Sequence, residues 1–244
     1  MLRRDIDGRV LTFHLAGINN QNFLMRDEET GTYWQQITGI AVSGPLAGRQ
    51  LTIVPADELT FALWKTEQPN GTVLNDASAD ASEYSPKNWD EKMSRVRTVI
   101  NYAEPGLANR DIMLGIRAFG ASRAFAYERV LSEKLVQDRV GSEPVLLLTG
   151  PDNESVRAFR RRLPGIAETP DFYRMTSGNG GLMMDAATGS GWNFQGCAVS
   201  GKLKGTCLEP VAIVKDYWFD WRNYNPSTTV YGRRTLPTGN GPAR

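Results

Sequence analysis

One stretch occurs twice, and this constrains the fold more than any other feature of the chain. The first copy runs from Asp27 through Thr30-Gly31 and Trp34 to Gly39, Ala41-Val42-Ser43-Gly44, Leu46 and Gly48. It continues through Leu51, Val54, Trp64 and Pro69 to Thr72-Val73. The second runs from Asp185 through Thr188-Gly189 and Trp192 to Gly196, Ala198-Val199-Ser200-Gly201, Leu203 and Gly205. It continues through Leu208, Val211, Trp221 and Pro226 to Thr229-Val230. The spacing differs by one residue, between each Trp and the Gly that follows. Ordered agreement of this density implies an internal duplication, which a fold assignment has to respect.

Within each copy, short apolar runs are separated by Gly, Pro, Asp and Asn, the pattern of strands joined by turns. The expected fold is therefore a β-rich α+β protein of two related repeats. Each repeat is a small twisted antiparallel sheet or partial barrel with a packed helix. The chain divides into a first repeat over 1–74, a linker and connecting strand over 75–109, a second repeat over 110–231 and a tail over 232–244.

Asp7-Gly8 predicts a two-residue hairpin turn within residues 1–13. Phe23-Leu24-Met25 reads as a short buried strand. Ala41-Val42-Ser43 is expected to pair with Gln50–Val54 across the Gly44–Gly48 turn. A helix should open at Pro55 and Asp57 and run to Glu67, burying Leu59, Leu63 and Trp64, with a last strand at Thr72-Val73-Leu74. Arg95–Ile100 and Ile112–Ile116 both look strand-like. Ala121–Leu135 and about Val214–Tyr224 read as helices, and Val145–Leu148 as a fully buried strand. The tail, rich in Gly, Pro and Arg, is expected to be ordered only if docked.

The same residues carry a family resemblance. Asn20-Gln21-Asn22-Phe23-Leu24-Met25-Arg26-Asp27, Thr30-Gly31-Thr32-Tyr33-Trp34 and Gly44-Pro45-Leu46-Ala47-Gly48 resemble DUF3179, a bacterial family of unknown function. Trp218-Phe219-Asp220-Trp221 resembles a W-F-x-W segment in the family's second half. The resemblance implies a fold and a duplication, and no established activity. It favours a strand over Ser155–Leu163, where Val156, Phe159 and Leu163 sit at helical spacing. The family's Y-C-P-L-C and W-H-E segments lie upstream of Met1, so the first repeat is expected to lack its front half. In the second repeat the corresponding stretches, Ala126–Glu133 and Leu148–Asp152, hold neither His nor Cys. Functions resting on those groups do not carry over. The resemblance also points to an envelope or secreted protein, although no signal peptide precedes the repeat.

Composition bounds the chemistry. A net charge of +1 over 244 residues gives no electrostatic footprint for nucleic acid. No apolar run reaches the length of a membrane span. The Arg160-Arg161-Arg162 run reads as a solvated face. His14 is the only histidine, which rules out zinc sites built on several His ligands. Gly-x-Ser-x-Gly, phosphate loops and dinucleotide fingerprints are all absent. Cys197 and Cys207 could meet across the Gly201–Gly205 turn, but two small buried side chains is the plainer reading.

The duplicated Asp–Thr-Gly–Trp unit is the candidate for chemistry. Asp27 and Asp185 on two sides of one cleft could divide acid and base work, with Thr188 and Ser190 orienting water or substrate. They could also hold a hard cation through their oxygens, so the cofactor expectation is none, or calcium. Asn20 and Asn179, on the loops ahead of each unit, and Trp34 and Trp192 are candidate substrate contacts. Each has a structural alternative: an Asp three residues before Thr-Gly suits a turn cap, an Asn suits a loop staple, and a repeated Trp suits a core. Two functions follow, the first favoured because no cofactor is available for other chemistry and the second its alternative. One is a cofactor-independent hydrolase of a small ester, lactone or glycoside, with or without calcium. The other is a non-catalytic ligand-binding or scaffold module of the cell envelope. The expected partner is a small molecule rather than nucleic acid. An open sheet edge left by the missing strands would be covered by another segment or by a second copy, giving a homodimer.

Overall fold

The computed structural model describes residues 1–19, 22–54, 56–73, 88–175 and 181–233. It is β-rich, with several small antiparallel sheets and a few short helices. In the first half, β1 (Asp5–Ile6) and β2 (Arg9–Val10) form the expected hairpin. Asp7 (φ 50) and Gly8 (φ 76) supply the two positive φ values that a tight hairpin turn needs. Then β3 (Phe13–Asn19), β4 (Asn22–Asp27), β5 (Tyr33–Gln35) and β6 (Ala41–Ser43) make an antiparallel meander. Its small core is Leu11, Trp34, Ala41 and Leu51. The strand over Phe23-Leu24-Met25 is present but not buried. Phe23 is 51% exposed, and Leu15 and Ile18 on the neighbouring edge strand are more so. Gln50–Val54 does not form a strand beside β6. The two segments meet only at an Ile40–Gln50 bridge, and β6 pairs with β5 instead.

Helix α1 (Phe61–Glu67) begins four residues later than Asp57. Its N-cap is Thr60, whose hydroxyl accepts from the Leu63 amide at 3.3 Å. The same Thr60 hydroxyl donates to Asp152 at 2.8 Å, and the Thr60 amide to Ser155 Oγ at 3.1 Å. These contacts lie some ninety residues away in sequence. Long-range anchoring therefore sets where the helix starts. Thr72 and Val73 are in no strand, and Leu74 and Pro55 lie outside the described residues.

Helix α2 (Trp89–Arg95) takes the first residue of the expected Arg95–Ile100 strand, and the rest of that stretch is irregular. Next come β7 (Ile112–Ala118), β8 (Ala121–Ala126), α3 (Tyr127–Glu133), β9 (Leu135–Val140), β10 (Glu143–Thr149) and β11 (Val156–Arg160). The second meander is β12 (Phe172–Arg174), β13 (Met183–Asp185), β14 (Gly191–Trp192) and β15 (Ala198–Ser200). The described chain closes with β16 (Pro210–Val211), β17 (Val214–Tyr217), α4 (Trp218–Tyr224) and β18 (Thr229–Val230). Two helical expectations are corrected here. Ala121–Leu135 is a strand before it is a helix, and so is Val214–Tyr224. In both cases the first part pairs with β7. The strand over Ser155–Leu163 is observed as β11.

The centre of the molecule is layered. The sheet β16-β11-β10-β9 is covered on both faces. Val145 and Leu147 enter one core with Leu114, Ile116 and Phe125 of the sheet β17-β7-β8-β18. Leu146 and Leu148 enter another with Met183 and Trp192 of the second meander. That is why Val145–Leu148 is an unbroken apolar run: successive residues point to opposite faces, and both faces are dry. Leu63 of α1 belongs to that second core, so the helix of the first half packs on the second half. Arg157 holds it there with bonds to Asp57 and Glu67 at 2.7–2.9 Å. Gly115 in β7 leaves room for Trp221 of α4, whose ring would lie 2.3 Å from a Cβ at that position.

Candidate functional site

Asp27 ends β4, and the chain turns immediately. Gly31 (φ +71) closes the turn by donating its amide to the Asp27 carbonyl at 3.1 Å. The Asp27 carboxylate is completely buried. Its Oδ1 accepts from the Thr30 amide at 2.5 Å and the Thr30 hydroxyl at 2.8 Å, and its Oδ2 accepts from Trp34 Nε1 at 2.7 Å. Burial pushes its pKa up, but the Trp34 indole and the Thr30 donors outweigh that and hold it below the usual carboxylate value.

Asp185 repeats the arrangement. It is also fully buried. It accepts from the Thr188 amide at 2.6 Å, the Thr188 hydroxyl at 2.9 Å, the Ser190 amide at 3.2 Å and Trp192 Nε1 at 2.9 Å. Ser190 Oγ is engaged by Thr188 at 2.8 Å and accepts from the Leu203 amide at 3.0 Å. The side chain is buried, so its hydroxyl does not face solvent. Gly44 and Gly201 pass so close behind these turns that a Cβ would lie 2.7 Å from Thr32 Cα and 2.6 Å from Ser190 Cα respectively. The two glycines recur because backbone meets backbone there.

These two carboxylates are not brought together. Trp34 sits in the core of the first meander and Trp192 in the core under β10, so each Asp–Trp pair serves a different core. Trp34 and Trp192 have no exposed surface. Asn20 and Asn179 lie outside the described residues. His14, on exposed β3, stands 4.0 Å from Glu28. Among the described residues no group of three or more His, Cys, Asp or Glu side chains is placed to hold a metal ion. The Arg160–Arg162 run is not simply solvated. Arg160 and Arg162 both pair with Glu143, and Arg161 pairs with Asp171. Cys197 and Cys207 form a disulfide, correcting the plainer reading of two separate buried thiols. It occupies a strand-to-strand bridge placed like Ile40–Gln50 in the first half.

A different pair of acids is left unsatisfied. Asp216 is in β17, and Asp220 is four residues on, in the first turn of α4. Asn22, at the start of β4, reaches across from the first half and donates Nδ2 to Asp220 Oδ2 at 2.9 Å. Five buried side-chain nitrogen or oxygen atoms lack a partner among the described residues, and three of them are Asn22 Oδ1, Asp216 Oδ2 and Asp220 Oδ1. Burial, and then the charge of Asp220, push the Asp216 pKa up to about 8. Burial also raises that of Asp220, against the bond from Asn22. Asn22 and Asp216 line a cleft of about 550 Å³ between the halves, together with Met25, Leu51 and Val214. Arg3, Arg4 and Lys215 line it too; Arg3 is paired with Asp5 and Lys215 with Glu58. A smaller cleft of about 290 Å³ is lined by Asp57, Tyr127 and Arg157, and there Arg157 is already bonded to Asp57.

A family model described as protein of unknown function (DUF3179) matches residues 2–228. The chain belongs to the DUF3179 family. No curated protein and no solved structure matches it. Membership accounts for the motifs at Asp27–Trp34 and Trp218–Trp221, and it assigns no chemistry to them. Within this DUF3179 chain, the acid pair was missed by sequence reasoning because Asp216 and Asp220 fell in a segment read as one helix and belong to no recognised motif. One signal was present. Aligning Trp221 with Trp64 places Asp216 and Asp220 opposite Leu59 and Leu63, so two acids stand where the first copy has core leucines.

Proposed function

We propose that this chain is a non-catalytic ligand-binding module of the cell envelope, built on a duplicated β-rich unit whose Asp27 and Asp185 hold turns rather than perform chemistry. One observation carries the reading: both carboxylates are completely buried, and their oxygens are taken by the adjoining turn and a tryptophan ring. A carboxylate so enclosed meets neither substrate nor water, and its hydrogen bonds are those of a turn cap. The duplication is supported by the shared meander and by matching Asp–Thr–Trp bonds in each copy. The disulfide supports an oxidising compartment such as the envelope. Thiol labelling of the native protein should find no reactive cysteine until a reductant is added. Immediate labelling of both would count against that placement. The homodimer has support in the exposed Leu15 and Ile18 on edge strand β3, which a second copy could cover.

The hydrolase is the second reading, and one observation favours it: the Asp216–Asp220 pair, of which Asp216 lines a cleft and has its pKa raised by burial and by the charge of Asp220. The two readings part in a screen of the full chain against aryl esters, lactones and aryl glycosides. The binding module gives no turnover above buffer. Turnover that disappears in Asp216→Asn would replace it with a hydrolase acting at that pair.

A further inference from the structure

The oxygens left without partners between the two halves have a chemistry in common. Asn22 Oδ1, Asp216 Oδ2 and Asp220 Oδ1 are all acceptors, all buried, and no described group donates to any of them. Asp220 as a whole is 6% exposed. Its other oxygen accepts from Asn22 Nδ2 at 2.9 Å, and Asn22 Oδ1, on the same amide, is left without a donor. Asp216 has one oxygen on the Tyr217 amide at 2.8 Å, leaving the second unpaired. Buried acceptors in this state are rare, because each forfeits its water without gaining a donor. The first copy shows that the fold does not require them: Leu59 and Leu63 occupy the matching positions, and Leu63 is a core residue there. Acids in place of leucines cost stability in the empty protein, and a bound positive charge is what would offset that cost.

From these three oxygens we infer a cation site between the halves, ligated by Asn22 Oδ1, Asp216 Oδ2 and Asp220 Oδ1, that takes a divalent ion of the calcium class. Two carboxylates and an amide carbonyl are hard oxygen donors with no sulfur or imidazole among them, which selects calcium or magnesium over zinc or copper. Calcium accepts irregular sets of oxygens and fills its remaining positions with water, which the adjoining cleft can supply. Magnesium demands near-octahedral order that three side chains from a strand start, a strand and a helix turn do not provide. The site bridges β4 of the first half to β17 and α4 of the second, so an ion there ties the two together. This goes beyond the turn-capping role of Asp27 and Asp185, and its failure would leave that role untouched.

The test is calcium chloride titrated into the chelator-treated full chain, read by isothermal titration and by melting temperature. Parallel titrations use magnesium chloride and ethylammonium chloride. Calcium should bind saturably. At about a hundredfold excess over Kd it should raise the melting temperature by about 5–10 °C. Asp216→Asn and Asp220→Asn, made separately, should each abolish the shift, whereas the exposed-site control Asp171→Asn should keep it. In chelator both site variants should melt at or above the wild-type temperature, since each replaces one of two acids buried side by side with an oxygen that has no donor. The inference is overturned if calcium produces no heat and no shift. It is also overturned if the shift survives in both site variants, if both melt below wild type in chelator, or if magnesium or ethylammonium acts at equal or lower concentration.

Discussion

Asp185 shows how completely a single side chain can be absorbed by its own turn. Removing its charge while keeping its size turns an acceptor-only group into one with an amide that faces the Thr188, Ser190 and Trp192 donors. Asp185→Asn should therefore cost about 2–4 kcal/mol of stability, the range for a buried, charge-assisted network left mispaired. Urea denaturation measures this directly, and a variant as stable as wild type would show that the turn does not depend on the carboxylate. Glu143 gives the residue scale its pH dependence. Hydrogen bonds from Arg162 and Arg160 lower its pKa from 4.5 to about 2 in the folded chain. A depressed carboxylate pKa means the unfolded chain binds more protons in that window, so stability rises with pH. The contribution is fully present above about pH 4.5 and is lost as pH falls towards 2. Glu143→Gln should flatten the acid limb of the stability curve between those values. A melting profile that keeps its full slope there would remove Glu143 from the account.

At the scale of elements, α1 is the instructive case. Seven residues are too few to hold a helix by themselves, so its stability has to come from packing. Leu63 supplies the apolar part and Arg157 the polar part, through bonds to Glu67 and Asp57. The Arg157 and Glu67 side chains are only 10% and 11% exposed, so removing the arginine leaves a buried carboxylate with Gln195 as its remaining donor. Arg157→Ala should lower stability by about 3 kcal/mol and make the segment around α1 the first site cut in limited proteolysis. If cleavage begins elsewhere and stability is unchanged, the ion pair does not anchor the helix. The strand-then-helix segments follow a related logic. Ala121–Ala126 and Val214–Tyr217 lie on opposite sides of β7, and that pairing holds them extended up to the residue where each helix begins.

Across the whole molecule the two halves are interleaved. Leu63 from the first half completes a core of the second, and Asn22 of β4 reaches Asp220 of α4. Tyr224 of α4 also donates its hydroxyl to the Asn19 carbonyl at 3.1 Å. No helix among the described residues is long and apolar enough to cross a membrane. Shared cores couple the stability of the parts that share them, so unfolding should be a single cooperative transition. Tryptophan fluorescence and far-ultraviolet circular dichroism should give coincident urea curves. Two separated transitions would mean that the halves stand alone.

The sequence by itself determined the local content that needs only neighbours in the chain. The Asp7-Gly8 hairpin, the Asp–Thr-Gly–Trp turns and the two-sided burial of β10 were all legible, because turn chemistry and apolar runs are written in adjacent residues. Family membership was legible for the same reason. Tertiary structure decided everything that depends on what lies opposite. Ala121–Ala126 carries no alternation because Ala124 and Phe125 are both buried, one in each of two cores, so its strand character emerges only from pairing with β7. Cys197 and Cys207 needed the strand-to-strand bridge that sets their separation. Asp27 and Asp185 matched as candidates in sequence, yet burial beneath their own turns set them apart from solvent and from each other. Asp216 and Asp220 fall in the segment about Val214–Tyr224 that reads as one helix and stand out in no local motif. They become a buried acceptor cluster because Asn22, almost two hundred residues away, closes over them, and no local pattern encodes that distance.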